Sequence, residues 1–136
     1  MEIRTYAREH LEPVIRMCEG ISFSISLSDP DRAHRAMTAP GALALVAVEG
    51  DEVIGFSHSI TDGALQAYLS MLLVSPDHQR RGIASALIEE TMQRSGAIRL
   101  DLVSSEEAEA LYQTFSFRRL PGYRLYVGGE PGEVVD

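Results

Sequence analysis

Leu72-Leu73-Val74-Ser75-Pro76-Asp77-His78-Gln79-Arg80-Arg81-Gly82-Ile83-Ala84 is the stretch on which the reading of this chain turns. An apolar run ends at Val74, Ser75-Pro76 breaks it, and a polar loop from Asp77 to Arg81 leads into a segment with helical period. Upstream, Gln66 to Val74 reads as a strand with Tyr68, Ser70, Leu72 and Val74 on one face and Leu69, Met71 and Leu73 on the other. Apolar residues on both faces mark a central strand. Downstream, Ile83, Leu87 and Thr91 recur every fourth position, as do Ala84, Ile88 and Met92, until Ser95-Gly96 ends the helix. A helix that starts at Gly82 presents unpaired backbone amides and the positive end of its dipole, which suits an anion. Gly82 lets a ligand approach the backbone, Ala84 keeps the first turn slim, and Arg80 and Arg81 can bond phosphate oxygens.

Working outward, Glu2 to Tyr6 reads as a first strand, followed by a helix with Pro13 in its first turn, Leu11, Val14, Ile15 and Cys18 on its apolar face and Gly20 as its stop. Ile21 to Leu27 fits no single type. Asp29-Pro30 is an N-cap followed by an N1 proline, opening a short helix that ends near Pro40-Gly41. Ala42 to Val48 and Val53 to Ile60 form a hairpin about Glu49-Gly50-Asp51-Glu52. The period of two puts Ile54, Phe56, His58 and Ile60 on one face of its second strand. Ile98 to Val103 is a fifth strand. Ser104 and Glu107 have capping-box spacing before a helix with Ala108, Leu111, Tyr112 and Phe115 on one face. Phe117 to Leu120 and Tyr123 to Val127 read as two closing strands, and Gly128 to Asp136 as a frayed tail. The class is α+β: one domain over residues 1–136, with a mixed, mostly antiparallel sheet of six to seven strands and about four helices on both faces.

At 136 residues and 14.9 kDa the chain is of single-domain size. The net charge is −8, and all 12 basic residues are Arg, so Schiff-base lysine chemistry and a lysine-bearing phosphate loop are excluded. An acidic surface argues against a nucleic-acid partner and suits a cationic one. Cys18 stands alone and reads as a buried apolar residue; neither a disulfide nor a cysteine-based metal site can be assembled from it, and no metal is expected. No basic leader precedes an apolar run, and the strongly apolar stretch Ala42 to Val48 is too short to cross a bilayer, so a cytoplasmic protein without a membrane partner is the expectation.

Gln79-Arg80-Arg81-Gly82-Ile83-Ala84 resembles the acetyl-CoA-binding motif Q/R-x-x-G-x-G/A of the GNAT superfamily of N-acetyltransferases, and Val74-Ser75-Pro76 matches the V-x-P pattern that precedes it there. Ala108, Tyr112 and Phe117 match a second signature, A-x-x-x-Y-x-x-x-G-F. Ser116 replaces its glycine, and Ser105 stands where many members carry an asparagine that meets the cofactor. The order of elements follows the family fold over nearly the whole chain. The resemblance implies that Leu72, Leu73 and Val74 offer backbone groups to the pantetheine arm where the fourth strand diverges from the fifth, with the Val74 amide on the thioester carbonyl. It implies that Arg80, Arg81, Gly82, Ile83, Ala84 and Ser85 wrap the pyrophosphate and that Tyr112 protonates the departing thiolate; the asparagine contact does not carry over to Ser105, whose shorter hydroxyl would leave a cofactor interaction to water. Tyr112 also lies beside its helix's apolar stripe, where a purely structural aromatic would sit.

An amine acceptor is only about one part in a thousand neutral at pH 7, so some group must take its proton. Asp101 and His58 are the two candidates, with Tyr68 and Ser70 able to relay through water. His58 on an apolar strand face reads first as a satisfied core histidine, and Asp101 alternates with Ile98, Leu100 and Leu102 as a solvated or helix-facing carboxylate would. The expected activity is direct transfer of an acetyl group from acetyl-CoA to a primary amine of a small molecule or peptide. A non-catalytic acyl-CoA sensor of the same fold is the alternative, and a toxin acting on charged tRNA is disfavoured by the charge. The acceptor would be lined by residues 20–40, which carry Ser22, Ser24, Ser26, Ser28, Asp29 and Asp31, and by the closing strands. Dimerisation is common in that family, so a homodimer is one expected state.

Overall fold

Five strands, β1 (Glu2–Thr5), β2 (Ala42–Glu49), β3 (Glu52–Thr61), β4 (Gln66–Val74) and β5 (Arg99–Asp101), lie side by side in chain order in a computed structural model that describes residues 1–19 and 28–135. The first four are antiparallel neighbours and β5 joins β4 in parallel, as a helical crossover from β4 requires. The helices are α1 (Leu11–Cys18), α2 (Pro30–Thr38), α3 (Ile83–Ser95) and the short α4 (Glu109–Tyr112). Two compact units divide the chain, Met1–Leu102 and Val103–Asp136. The reading of residues 20–27, including the stop at Gly20, lies outside the described residues.

One face of the first unit's sheet carries α1 and α2. Tyr6, Leu11, Val14, Cys18, Ala33, Met37, Ala44, Val46, Val48 and Phe56 are buried there, with Met71 and Leu73 packed against them. Burial pushes the Cys18 thiol up to about 11, in keeping with a structural role. α2 starts where Asp29 accepts the Arg32 amide at 3.2 Å and Pro30 takes the first position. The Tyr6 hydroxyl joins the β1 end to His34 Nδ1 on α2 at 2.8 Å.

The other face carries α3. Ile83 and Leu87 bury against Leu45, Ala47 and Ile54, and Thr91 and Ser95 continue the stripe, Thr91 satisfied by donating to the Leu87 carbonyl at 2.7 Å. Close approach of this helix depends on Gly55, where a Cβ would lie 2.9 Å from Ile83 Cγ2. Arg94 ties the far end of α3 to β1 through the Ile3 carbonyl at 3.2 Å.

Two β-bulges overturn face assignments that strict alternation predicts. Ala47 opposes Gly55 while Val48 opposes Val53, leaving Ile54 as the extra residue of β3. Ile54 therefore turns toward α3, opposite Phe56. Likewise His58 opposes Met71 while Ser59 opposes Leu69, so Ser70 is the extra residue of β4 and meets His58, on the opposite face from Leu72 and Val74.

The second unit differs most from expectation. Phe117 to Leu120 and Tyr123 to Val127 form no strand, so the sheet has five strands among the described residues and not six to seven. The Ser104 capping box does not form: its hydroxyl donates to the Ser105 carbonyl at 2.7 Å, and Ser105 is the residue that precedes a 3-10 turn, Glu106–Ala108. Helical geometry then persists only through Tyr112, short of Phe115.

Candidate active site

β4 pairs with β5 only at Gln66–Arg99, Ala67–Leu100 and Tyr68–Asp101. β5 ends at Asp101, short of the Val103 expected for it, so from Leu69 onward the outer edge of β4 has no β5 residue beside it. The Ser75 amide bonds the Ile54 carbonyl of β3 at 2.9 Å, so by alternation the Val74 amide points to the opened edge. Leu72 and Val74 turn their side chains to the α3 core and Leu73 to the other, leaving backbone as what this edge offers.

Pro76–His78 form a 3-10 turn that ends the strand, as the proline's fixed φ and missing amide dictate. Arg80 takes a φ of 64° and Gly82 a φ of 78°, two left-handed residues that curl the chain into α3. The first helical bond runs from the Ala86 amide to the Gly82 carbonyl at 3.0 Å, so the amides of Ile83, Ala84 and Ser85 precede the ladder. No side chain caps them and no acid lies in the first turn. These donors, beside a guanidinium at Arg80 that makes no ion pair among the described residues, fit a diphosphate.

Arg81 is not free. Its Nη2 lies 2.5 Å from Glu49 Oε2 at the end of β2, and this contact holds the Glu49 carboxyl below its usual range and raises Arg81. Nothing in the sequence flags that partner, 32 positions away. A groove of about 820 Å³ at this end of the sheet is lined by Arg16, Glu19, Glu49, Asp51, Glu52 and Ser75 and contains none of the nominated catalytic residues.

His58 is 6% exposed, and the two ring nitrogens are engaged: Nε2 lies 3.0 Å from the Ala36 carbonyl of α2, and Nδ1 meets the Ser70 hydroxyl. Desolvation lowers its pKa, opposed in part by the Ala36 bond. Asp101 is exposed on β5, in register with Tyr68. Tyr112 and Ser105 belong to the second unit, where Tyr112 is half-buried and burial raises its phenol above 10.0.

β4 thus continues past its last β5 partner as an unpaired edge and runs through the Pro76 turn into an uncapped helix start. The family model for an acetyltransferase (GNAT) domain matches residues 5–129, and the chain belongs to that family. Its fold is shared with a putative acetyltransferase of the GNAT family from Xanthomonas campestris pv. campestris, at 23% identity over 93% of this chain and 92% of that one, with a TM-score of 0.74. A ribosomal-protein-alanine N-acetyltransferase from Brucella melitensis biovar Abortus 2308 matches at 18% identity over 93% and 99%, TM-score 0.73. An aminoglycoside 6'-N-acetyltransferase from Acinetobacter haemolyticus matches at 16% identity over 96% and 99%, TM-score 0.74. No curated protein sequence matches the chain.

Proposed function

We propose that this acetyltransferase uses acetyl-CoA and acetylates a primary amine of a small molecule or peptide by direct attack on the thioester. The observation that carries the reading is the continuity of donors from the opened Val74 edge of β4 to the uncapped amides of Ile83, Ala84 and Ser85. In this reading the backbone of Leu72, Leu73 and Val74 binds the pantetheine arm, and the Val74 amide polarises the thioester carbonyl. Arg80, Gly82 and the first turn of α3 hold the pyrophosphate, with Arg81 contributing through a guanidinium shared with Glu49. Ser105 contacts the cofactor through water, and Tyr112, a phenol protonated at neutral pH, gives a proton to the departing thiolate. His58 and Asp101 are the groups through which the acceptor's proton can leave.

Two of the structural relatives are named for amine acceptors, a ribosomal-protein alanine and an aminoglycoside, which supports nitrogen as the acceptor atom. The net charge of −8 favours a cationic one. Thiol release from acetyl-CoA, screened against polyamines, aminoglycosides, amino acids and peptides, tests the proposal. Stoichiometric CoA and acetylated amine are expected; thiol release that no amine stimulates would sink it.

A further inference from the structure

We propose that Ser70 is the side chain that takes the acceptor's proton, and that His58, held by the Ala36 carbonyl, draws that proton onward. The inference rests on the acetyltransferase reading and assigns a step within it. Its basis is the bulge: in a regular ladder Ser70 would share a face with Leu72 and Val74, but as the extra residue of β4 it meets His58 instead. Ser70 stands two residues past Tyr68, the last β4 residue paired with β5, at the point where the strand edge opens.

The hydrogen bonds around this pair accommodate a proton in either of two places. A carbonyl only accepts, so Nε2 carries hydrogen toward Ala36 and the neutral ring presents a lone pair at Nδ1, to which the Ser70 hydroxyl donates. In the charged ring Nδ1–H donates to Ser70 Oγ, and the Ser70 hydroxyl turns to the His58 carbonyl, 3.1 Å away. No donor is orphaned in either state, so the proton moves without a side chain changing place. Burial favours the neutral ring, which is the form that can receive.

In the reaction the amine lone pair forms the new C–N bond at the thioester carbonyl carbon, and the C–S bond breaks with its electron pair leaving on sulfur. The nitrogen's surplus proton passes to Ser70 Oγ as the Ser70 proton passes to His58 Nδ1. The thiolate takes a proton to become free CoA, and the imidazolium releases its proton to water by the reverse shift. Ser70 is thus the catalytic contact and His58 a positioning residue acting through it.

The test compares the wild-type chain with Ser70→Ala, Ser70→Thr and His58→Gln in thiol release from acetyl-CoA, using n-butylamine and methoxyamine, the second already neutral at pH 7. Ser70→Ala and His58→Gln are expected to lose about a hundredfold in turnover with n-butylamine but less than about tenfold with methoxyamine, at unchanged KM for acetyl-CoA. Ser70→Thr, which keeps the hydroxyl, is expected to keep most of the rate. Equal losses with both amines, or wild-type turnover in Ser70→Ala, would overturn the relay and leave the acetyltransferase reading standing. Absence of thiol release by the wild type with either amine counts against that reading and the relay together. An acetyl adduct on Ser70 in mass spectrometry would overturn the relay in favour of a covalent intermediate. Independently of turnover, nitrogen NMR of labelled histidine at pH 7.5 is expected to show His58 protonated at Nε2 and bare at Nδ1; the opposite tautomer would overturn it.

Discussion

The Cβ that Gly55 lacks would stand 2.9 Å from Ile83 Cγ2 and 3.2 Å from Leu87 Cδ1. One missing methyl on β3 therefore sets how near the first turn of α3 lies to the sheet, and Ile83 is the first residue of the helix whose start is the proposed anion site. Because the Ile83 methyl branches from its own Cβ, it cannot swing aside without a change of rotamer. Gly55→Ala is expected to cost about 1–3 kcal/mol by overpacking. Displacement of the α3 start should weaken CoA binding as well, beyond the change in stability. Urea midpoints and calorimetric titration with CoA measure the two effects, and unchanged values for both would show that α3 is not seated on Gly55.

The Glu49–Arg81 pair makes the proposed cofactor affinity testable. Both side chains are partly exposed, and Glu49 draws the guanidinium toward the end of β2. Glu49→Gln removes the charge and keeps the shape, so Arg81 becomes available to the anion. A several-fold tightening of CoA binding at low salt is expected, fading as ionic strength rises. Weaker binding in this variant would mean that Glu49 holds Arg81 in the pose the pyrophosphate needs.

Protonation of His58 should be visible in stability. Its folded pKa lies below the ordinary 6.5, so in the window between the two values the unfolded chain binds more protons. Stability is therefore full above 6.5 and falls as pH drops through that window, at up to about 1.4 kcal/mol per pH unit. Urea unfolding from pH ~7.5 to ~5 should show a shallower fall in His58→Gln than in the wild type. Parallel curves would mean that the ring is as easily protonated folded as unfolded.

Tyr112 offers a separable prediction. A phenol is protonated at neutral pH, and burial moves its titration further up, so a hydroxyl is there to donate. Tyr112→Phe is expected to lower turnover by about a hundredfold with CoA affinity retained, read by thiol release and calorimetry. Full activity in the variant would return Tyr112 to the status of a half-buried packing residue.

Much of the fold and the outline of the site could be read in the chain because their causes are local. Gln66 to Val74 is a strand with the bounds its composition predicts, Pro76 must end it, and the four-residue spacing from Ile83 to Thr91 can be only a helix buried along one stripe. Asp29-Pro30 caps α2 through bonds made within one turn. The uncapped, acid-free start of α3 at Gly82 is likewise set by residues next to one another in the chain.

What tertiary structure alone decided lies where one strand's geometry depends on another's. Alternation assigns Ile54 to the face of Phe56 and Ser70 to that of Leu72, and both fail because each bulge inserts a residue that only the pairing of two strands defines. The partnership of Arg81 with Glu49, the seat of α3 on Gly55 and the hold of Ala36 on His58 join residues far apart in the chain. The apolar patterns of residues 117–127 carry strand propensity but no partner, and propensity without a partner makes no strand. Sequence determined where β4 ends and α3 begins, because those causes are local; the packing of β3, β4 and α2 decided that Ser70, His58 and the Ala36 carbonyl meet, because no local rule brings three separate elements together.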